Sequence, residues 1–315
     1  MSNTKSLPAE GPPPDASVAL LRAGVRNSLL LDRAVQIALM TAATTSVVVV
    51  ALIFLYLGRE ALPFAKDPGL GSLWGSRWVP VSFVEEAYGI FPLVTGSLLV
   101  TFIATAIAAP FGILGAVYVS EIAGEKERDF LKPFVEILAG IPSVVIGFFG
   151  LVVLAPFIKS IFGLPSGLTA LTGALLLALM AIPTIMSIAE DALRSVPASY
   201  RQASLALGAT PLETVWKVTL PAALPGVTAA VLLGVGRVVG ETMALLMVTG
   251  NAALITLSPV NSVRTITATI AAEMGEVAYG STHYRALFCI GLILLLATFV
   301  LNLMAQRAMR KAIRA

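Results

Sequence analysis

Residues 35–57 run for the thickness of a bilayer without one charged side chain. A helix rises about 1.5 Å per residue, so about 20 apolar residues cross a hydrocarbon core of roughly 30 Å. Five more blocks of this kind follow, at 92–119, 133–158, 167–189, 222–248 and 286–305. Composition agrees: the 315 residues are 57% hydrophobic and only 12% charged, where a soluble domain carries about 25% charge. The apolar content excludes a disordered chain, and a single cysteine, Cys289, excludes a disulfide framework. The expected fold class is an all-α polytopic membrane protein with six transmembrane helices. Pro110, Pro142 and Pro183 lie inside the blocks and predict kinked or broken helices, which a membrane tolerates where neighbours or a cavity satisfy the freed backbone groups.

Charge placement orients the chain. Of its 21 Lys and Arg, six (Arg59, Lys66, Arg77, Lys159, Arg264, Arg285) fall opposite the N-terminus, Arg237 falls inside a span, and the other fourteen share the N-terminal side. Both termini are therefore expected inside. The organisation reads as a flexible tail over 1–34, a first span over 35–57, an outer loop over 58–92, a core over 93–306 and a basic C-terminus over 307–315. Trp74, Trp78 and Tyr88 in the outer loop read as interfacial aromatics. Part of a second outer loop, 263–277, has helical character and is expected to re-enter the membrane.

The chemistry of soluble enzymes is missing. One histidine, His283, and one cysteine make no metal cluster of usual spacing and read as structural. There is no phosphate-binding loop of the G-x-x-x-x-G-K-[ST] kind and no nucleophile elbow, so no catalytic residue is expected. Nucleic acid is excluded because the basic residues are scattered. Gly236 and Gly240 fit small-xxx-small helix packing. Arg237 and Glu241 stand four apart, the spacing of one helix face, inside a span where an ionised side chain costs several kcal/mol, roughly 2.5–3.5 on insertion scales. They read as an anion pathway, with Thr242 on the same surface, or as an ion pair fixing helix packing. Glu136 is expected to pair with Lys132.

The segment 190–221 lies on the inner side between two spans. Pro197 starts a short helix over 199–207, Gly208 breaks it, and Thr210-Pro211 starts the next piece. Small residues at Ala203 and Ser204 allow close approach. Gln202-Ala203-Ser204, three residues, Gly208, nine residues, then Val218-x-Leu220-Pro221 resembles the E-A-A-x3-G-x9-I-x-L-P loop of ABC importer membrane subunits. It departs from that pattern in Gln for Glu, Ser for Ala and Val for Ile. Three further strings narrow the resemblance: Leu138 to Gly150, with Pro142-Ser143 at its centre, resembles the signature of Pst-system phosphate permeases, while Gly236 to Ala244, running on to Gly250-Asn251, and Trp78-x-Pro80 with Tyr88-x-Ile90 resemble the PstC-type subunit.

The resemblance implies a type I ABC importer permease fold in a bacterial inner membrane. It implies that Ser199, Tyr200, Gln202, Ala203, Ser204, Gly208, Leu220 and Pro221 couple to a separate ATPase dimer that carries ATP and magnesium. This chain would bind no cofactor itself. The other implied partners are a second related permease completing the pathway, a periplasmic phosphate-binding protein and phosphate. An importer for another oxyanion, molybdate or sulfate, would carry the same loop; a secondary transporter would make the loop spacing a coincidence.

Overall fold

The computed structural model describes the backbone of residues 14–314 and the side chains of 32–303, 306 and 307. It divides into two units, Met1–Tyr56 and Leu57–Ala315. The first is helical from Pro14, where helix α1 (Pro14–Phe64) begins. The expectation of a flexible tail to residue 34 is corrected from residue 14 onward: beyond Pro14, a favoured first residue, the segment is rich in Ala, Leu and Arg, all strong helix formers. Residues 1–13 lie outside the described residues, as do most side chains of the basic C-terminus. Apart from half-buried Phe54, the apolar side chains of 35–55 are exposed, as a lipid-facing helix requires.

In the second unit, α2 (Phe91–Val117) ends in a wide helical turn at Tyr118–Ile122. α3 (Glu125–Gly140) stops before Pro142, and α4 (Ser143–Phe149) continues through a wide turn into α5 (Ala155–Phe162). α6 (Ala170–Arg194) leads to short helices α7 (Ala198–Ala206) and α8 (Pro211–Thr214). α9 (Leu220–Gly240), α10 (Met243–Val248), α11 (Ile266–Glu273) and α12 (Thr282–Arg314) complete the order. Among the described residues, six stretches are long and apolar enough to cross a membrane: 32–73, 91–122, 143–162, 170–194, 211–240 and 282–303. Each overlaps one expected block. The third block is broken at Ile141-Pro142, whose extended backbone (ψ 129° and 135°) ends α3 and starts α4.

α2, α6 and α9 pack as the centre of the bundle, and small residues let them. Val100, Ala104, Ala108, Gly112 and Ala116 form a fully buried stripe along α2. A methyl group at Gly112 would sit 2.8 Å from Ile185 of α6, and one at Gly234 of α9 would sit 2.5 Å from the same side chain. Ile185 is thus gripped by two glycines on two helices, the close approach that membrane helices use where lipid is as apolar as leucine.

A second core lies beside the head of α12. Strands β1 (Trp78–Val79) and β2 (Ala87–Tyr88) pair antiparallel and carry Trp78 and Tyr88 into contact with Phe64, Leu93, Ile266 and Leu287. The interfacial reading of these two aromatics is therefore corrected: both are buried, and only Trp74 is exposed. Burial and the neighbouring Glu86 carboxylate push the Tyr88 phenol well above its ordinary range.

Candidate functional site

The segment 190–221 ends α6 and then folds as a helix, a turn and a second helix start. α7 ends at Leu207, and Gly208 follows with φ +87°. Nothing lies within 4 Å of where its side chain would be, so glycine is required here by backbone conformation, not by space. The Thr210 hydroxyl accepts from the Glu213 amide while the Glu213 carboxylate accepts from the Thr210 amide, which starts α8. Ser199, Tyr200, Gln202, Ala203 and Gly208 are exposed; Ser204 is buried and its hydroxyl meets the Thr214 hydroxyl at 2.9 Å. Leu220 and Pro221 open α9. Tyr200, Ala203, Leu207, Gly208, Glu213 and Lys217 line a groove of about 620 Å³, and Leu207 is 90% exposed at its edge.

The mid-bundle pair is arranged differently from expectation. α9 stops at Gly240, and Glu241 turns extended (ψ 132°), so Arg237 and Glu241 do not continue along one helix face. The Glu241 carboxylate accepts the Ala244 amide at 3.3 Å and caps α10. Arg237 donates to the Thr184 hydroxyl at 2.7 Å and to the Ala139 carbonyl at 3.4 Å. Among the described residues no ion pair includes Arg237 or Glu241. The guanidinium therefore lies where two helix breaks come together, the end of α3 before Pro142-Ser143 and the end of α9 before Thr242. Thr242 donates to the Gly240 carbonyl. Among the described residues nothing lies within 4 Å of where a side chain at Gly236 or Gly240 would begin, whereas Gly234, two residues earlier, is pressed on Ile185.

Sequence reasoning missed three charged clusters. The Glu190 carboxylate, 4% exposed, is ringed by Lys132 at 3.4 Å, Arg194 at 3.6 Å and Arg128 at 3.8 Å. Lys132 is thereby taken by Glu190, not by Glu136, which is exposed. The i,i+4 spacing of Glu190 and Arg194 was the legible signal. Glu273 collects Arg264 at 2.7 Å, His283 at 2.8 Å and the Trp78 indole at 3.1 Å, joining residues up to 195 positions apart, with no local pattern to announce it. Arg201 and Glu121, 80 residues apart, form the third, with a shortest contact of 2.6 Å. Among the described residues no group of His, Cys, Asp and Glu could hold a metal ion.

Comparison with known proteins completes the assignment. Residues 108–314 match the family described as binding-protein-dependent transport system inner membrane component. The chain is 38% identical over 257 residues to the probable ABC transporter permease protein YqgH of Bacillus subtilis, covering 81% of this chain and 83% of that one. It is 32% identical over 304 residues to the phosphate transport system permease protein PstC of Xylella fastidiosa, covering 90% of each. Among solved structures, a bacterial ABC transporter that imports the acidic polysaccharide alginate superposes with a TM-score of 0.59 at 16% identity, over 92% of this chain and 98% of that one. The inward-facing MetNI methionine ABC transporter gives 0.54 at 24% identity, over 71% and 94%. The chain belongs to the binding-protein-dependent transport system inner membrane component family: it is a multi-pass, non-catalytic permease subunit of an ABC importer with the type I fold, working with a separate ATPase subunit and a substrate-binding protein.

Proposed function

We propose that this chain is the PstC-type permease of an inorganic phosphate importer. It forms half of the translocation pathway, and a second related permease forms the other half. Relatives that are 32–34% identical over 74–90% of the chain carry the name phosphate transport system permease protein PstC, which supports the substrate class. The observation that carries the reading is Arg237: a half-buried cation between two helix breaks, with no carboxylate partner among the described residues. A guanidinium presents a planar fork that fits two oxyanion oxygens. With only a hydroxyl and a carbonyl as its own acceptors, it keeps donors for a passing anion. Glu241 accepts the Ala244 amide and, among the described residues, forms no ion pair with Arg237. The contacts stay few, as release demands.

The remaining parts follow. The loop 190–221 is the coupling element, docking α7 on the ATPase that binds ATP and magnesium. Both termini are cytoplasmic, and a phosphate-loaded periplasmic protein delivers the anion at the opposite face. Closure of the ATPase dimer displaces α7, and the broken helices α3/α4 and α9/α10 re-aim around Arg237.

Radiolabelled phosphate uptake into vesicles holding the complex tests this. Uptake is expected to require the ATPase and the binding protein. Persistence without the ATPase contradicts the importer reading. Preferential uptake of sulfate or molybdate moves the substrate to another oxyanion, since a guanidinium fork fits all three.

A further inference from the structure

The exposure of α7 has a pattern of its own. Of its nine residues only Arg201 and Ser204 are not exposed. The two side chains that the helix turns away from solvent are therefore both polar. The two lead to different places. Ser204 bonds Thr214, one turn before α9 begins. Arg201 reaches the other two central helices. Its Nε donates to Glu121 Oε2 at 3.0 Å and its Nη2 to Glu121 Oε1 at 2.6 Å, a two-pronged grip on the turn that ends α2. The same guanidinium donates to the carbonyls of Leu193 and Val196 at 2.9 Å each, at and just past the C-terminus of α6. Those carbonyls lie where a helix runs out of its own donors. Glu121 is only 8% exposed, so water competes weakly for this contact and the fork is held in one geometry.

We propose that Arg201 and Glu121 form the strut that delivers displacement of α7 to α2 and α6, while Ser204 and Thr214 deliver it to α9. Arg201 is a positioning residue: it touches neither substrate nor ATP and acts through Glu121 and the two carbonyls. A lysine would keep the charge but could not hold one carboxylate at two points and two carbonyls at once. The two links predict separable failures. Losing the Arg201 link leaves α9 driven while α2 and α6 stay behind, so ATP hydrolysis continues without the full rearrangement of the bundle.

The proposal rests on the reading of 190–221 as the ATPase-docking loop, and the test separates the two. In the complex purified with its ATPase, with Cys289→Ala as background, a cysteine introduced at exposed Leu98 of α2 reports ATP-driven change through its maleimide labelling rate, and one at Gly58 before the outer hairpin serves as a static control. A cysteine at Leu207 reports docking by cross-linking to the ATPase. Arg201→Gln is expected to keep the Leu207 cross-link and to lower the ATP-driven labelling change per ATP hydrolysed at least fivefold. Glu121→Gln should do the same, and the double variant should be no worse than either single one, because both remove one interaction. Labelling change and hydrolysis falling in proportion, or additive losses in the double variant, would overturn the strut and leave Arg201 as a fold-stabilising residue only. If Arg201→Gln fails to assemble, Arg201→Lys decides: assembly with the change per ATP reduced supports the strut, and full coupling overturns it. A wild-type complex in which Leu207→Cys never cross-links to the ATPase removes the docking reading and the strut together.

Discussion

Two arginines of this subunit are bonded in contrasting ways. Arg201 makes four hydrogen bonds, two of them to a buried carboxylate. Arg237 makes two, to a hydroxyl and a carbonyl, and no ion pair among the described residues includes it. A saturated guanidinium fixes geometry; an unsaturated one keeps capacity for something that arrives. The same contrast runs along α9, where Gly234 is pressed on Ile185 and Gly236, adjoining Arg237, meets nothing within this chain. Gly236 and Gly240 are accordingly exposed, whereas Gly234 is buried.

Substitutions can break this contrast. The largest effect is expected at the inner saturated cluster. Glu190→Ala leaves Arg128, Lys132 and Arg194 without their shared carboxylate. Breaking a buried pair costs about 3–5 kcal/mol; these cations are 29–41% exposed, which lowers the expectation to about 2–3 kcal/mol. Thermal unfolding of the detergent-purified subunit measures it, and unchanged stability would deny the cluster a structural role. Next comes the glycine pair. Gly234→Ala should destabilise by about 1–3 kcal/mol through overpacking on Ile185, whereas Gly236→Ala should stay within about 0.5 kcal/mol in the isolated subunit. Equal effects would erase the distinction between the two sides of α9. The smallest effect on stability is expected for Arg237→Lys, which keeps the charge and loses the fork: unfolding temperature should stay unchanged while uptake falls about tenfold, equivalent to about 1.4 kcal/mol. An unfolding shift without an uptake defect would reassign Arg237 to packing.

Much of the architecture was legible because membranes force long signals. Blocks of about 20 apolar residues announce spans, and each of the six expected blocks overlaps a helix long and apolar enough to cross. The turn at Gly208 was legible because a positive φ selects glycine. The break at Pro142 was legible for a similar backbone reason. The partner of a charge was not. Arg237 and Glu241 have the spacing of a helical pair, but Glu241 leaves the helix to cap α10, and nothing in a four-residue spacing says where a helix stops. Glu121 and Arg201, or Glu273 and Trp78, meet only after the chain has folded back over 80 and 195 residues, a distance no periodicity spans. The burial of Trp78 and Tyr88 was missed for the same reason, since aromatics in an outer loop look interfacial until a hairpin folds them under.

In the proposed mechanism this subunit passes an oxyanion by an ATP-driven movement around an arginine held in reserve. That mechanism is tested most directly by ATP-dependent phosphate uptake in vesicles holding the full complex, wild type against Arg237→Gln, with assembly and unfolding temperature measured on the same preparations. The account predicts uptake reduced about 10- to 100-fold, the range of one or more hydrogen bonds to a charged group, in a complex that assembles and melts as the wild type does. Wild-type uptake by the assembled Arg237→Gln complex would contradict it.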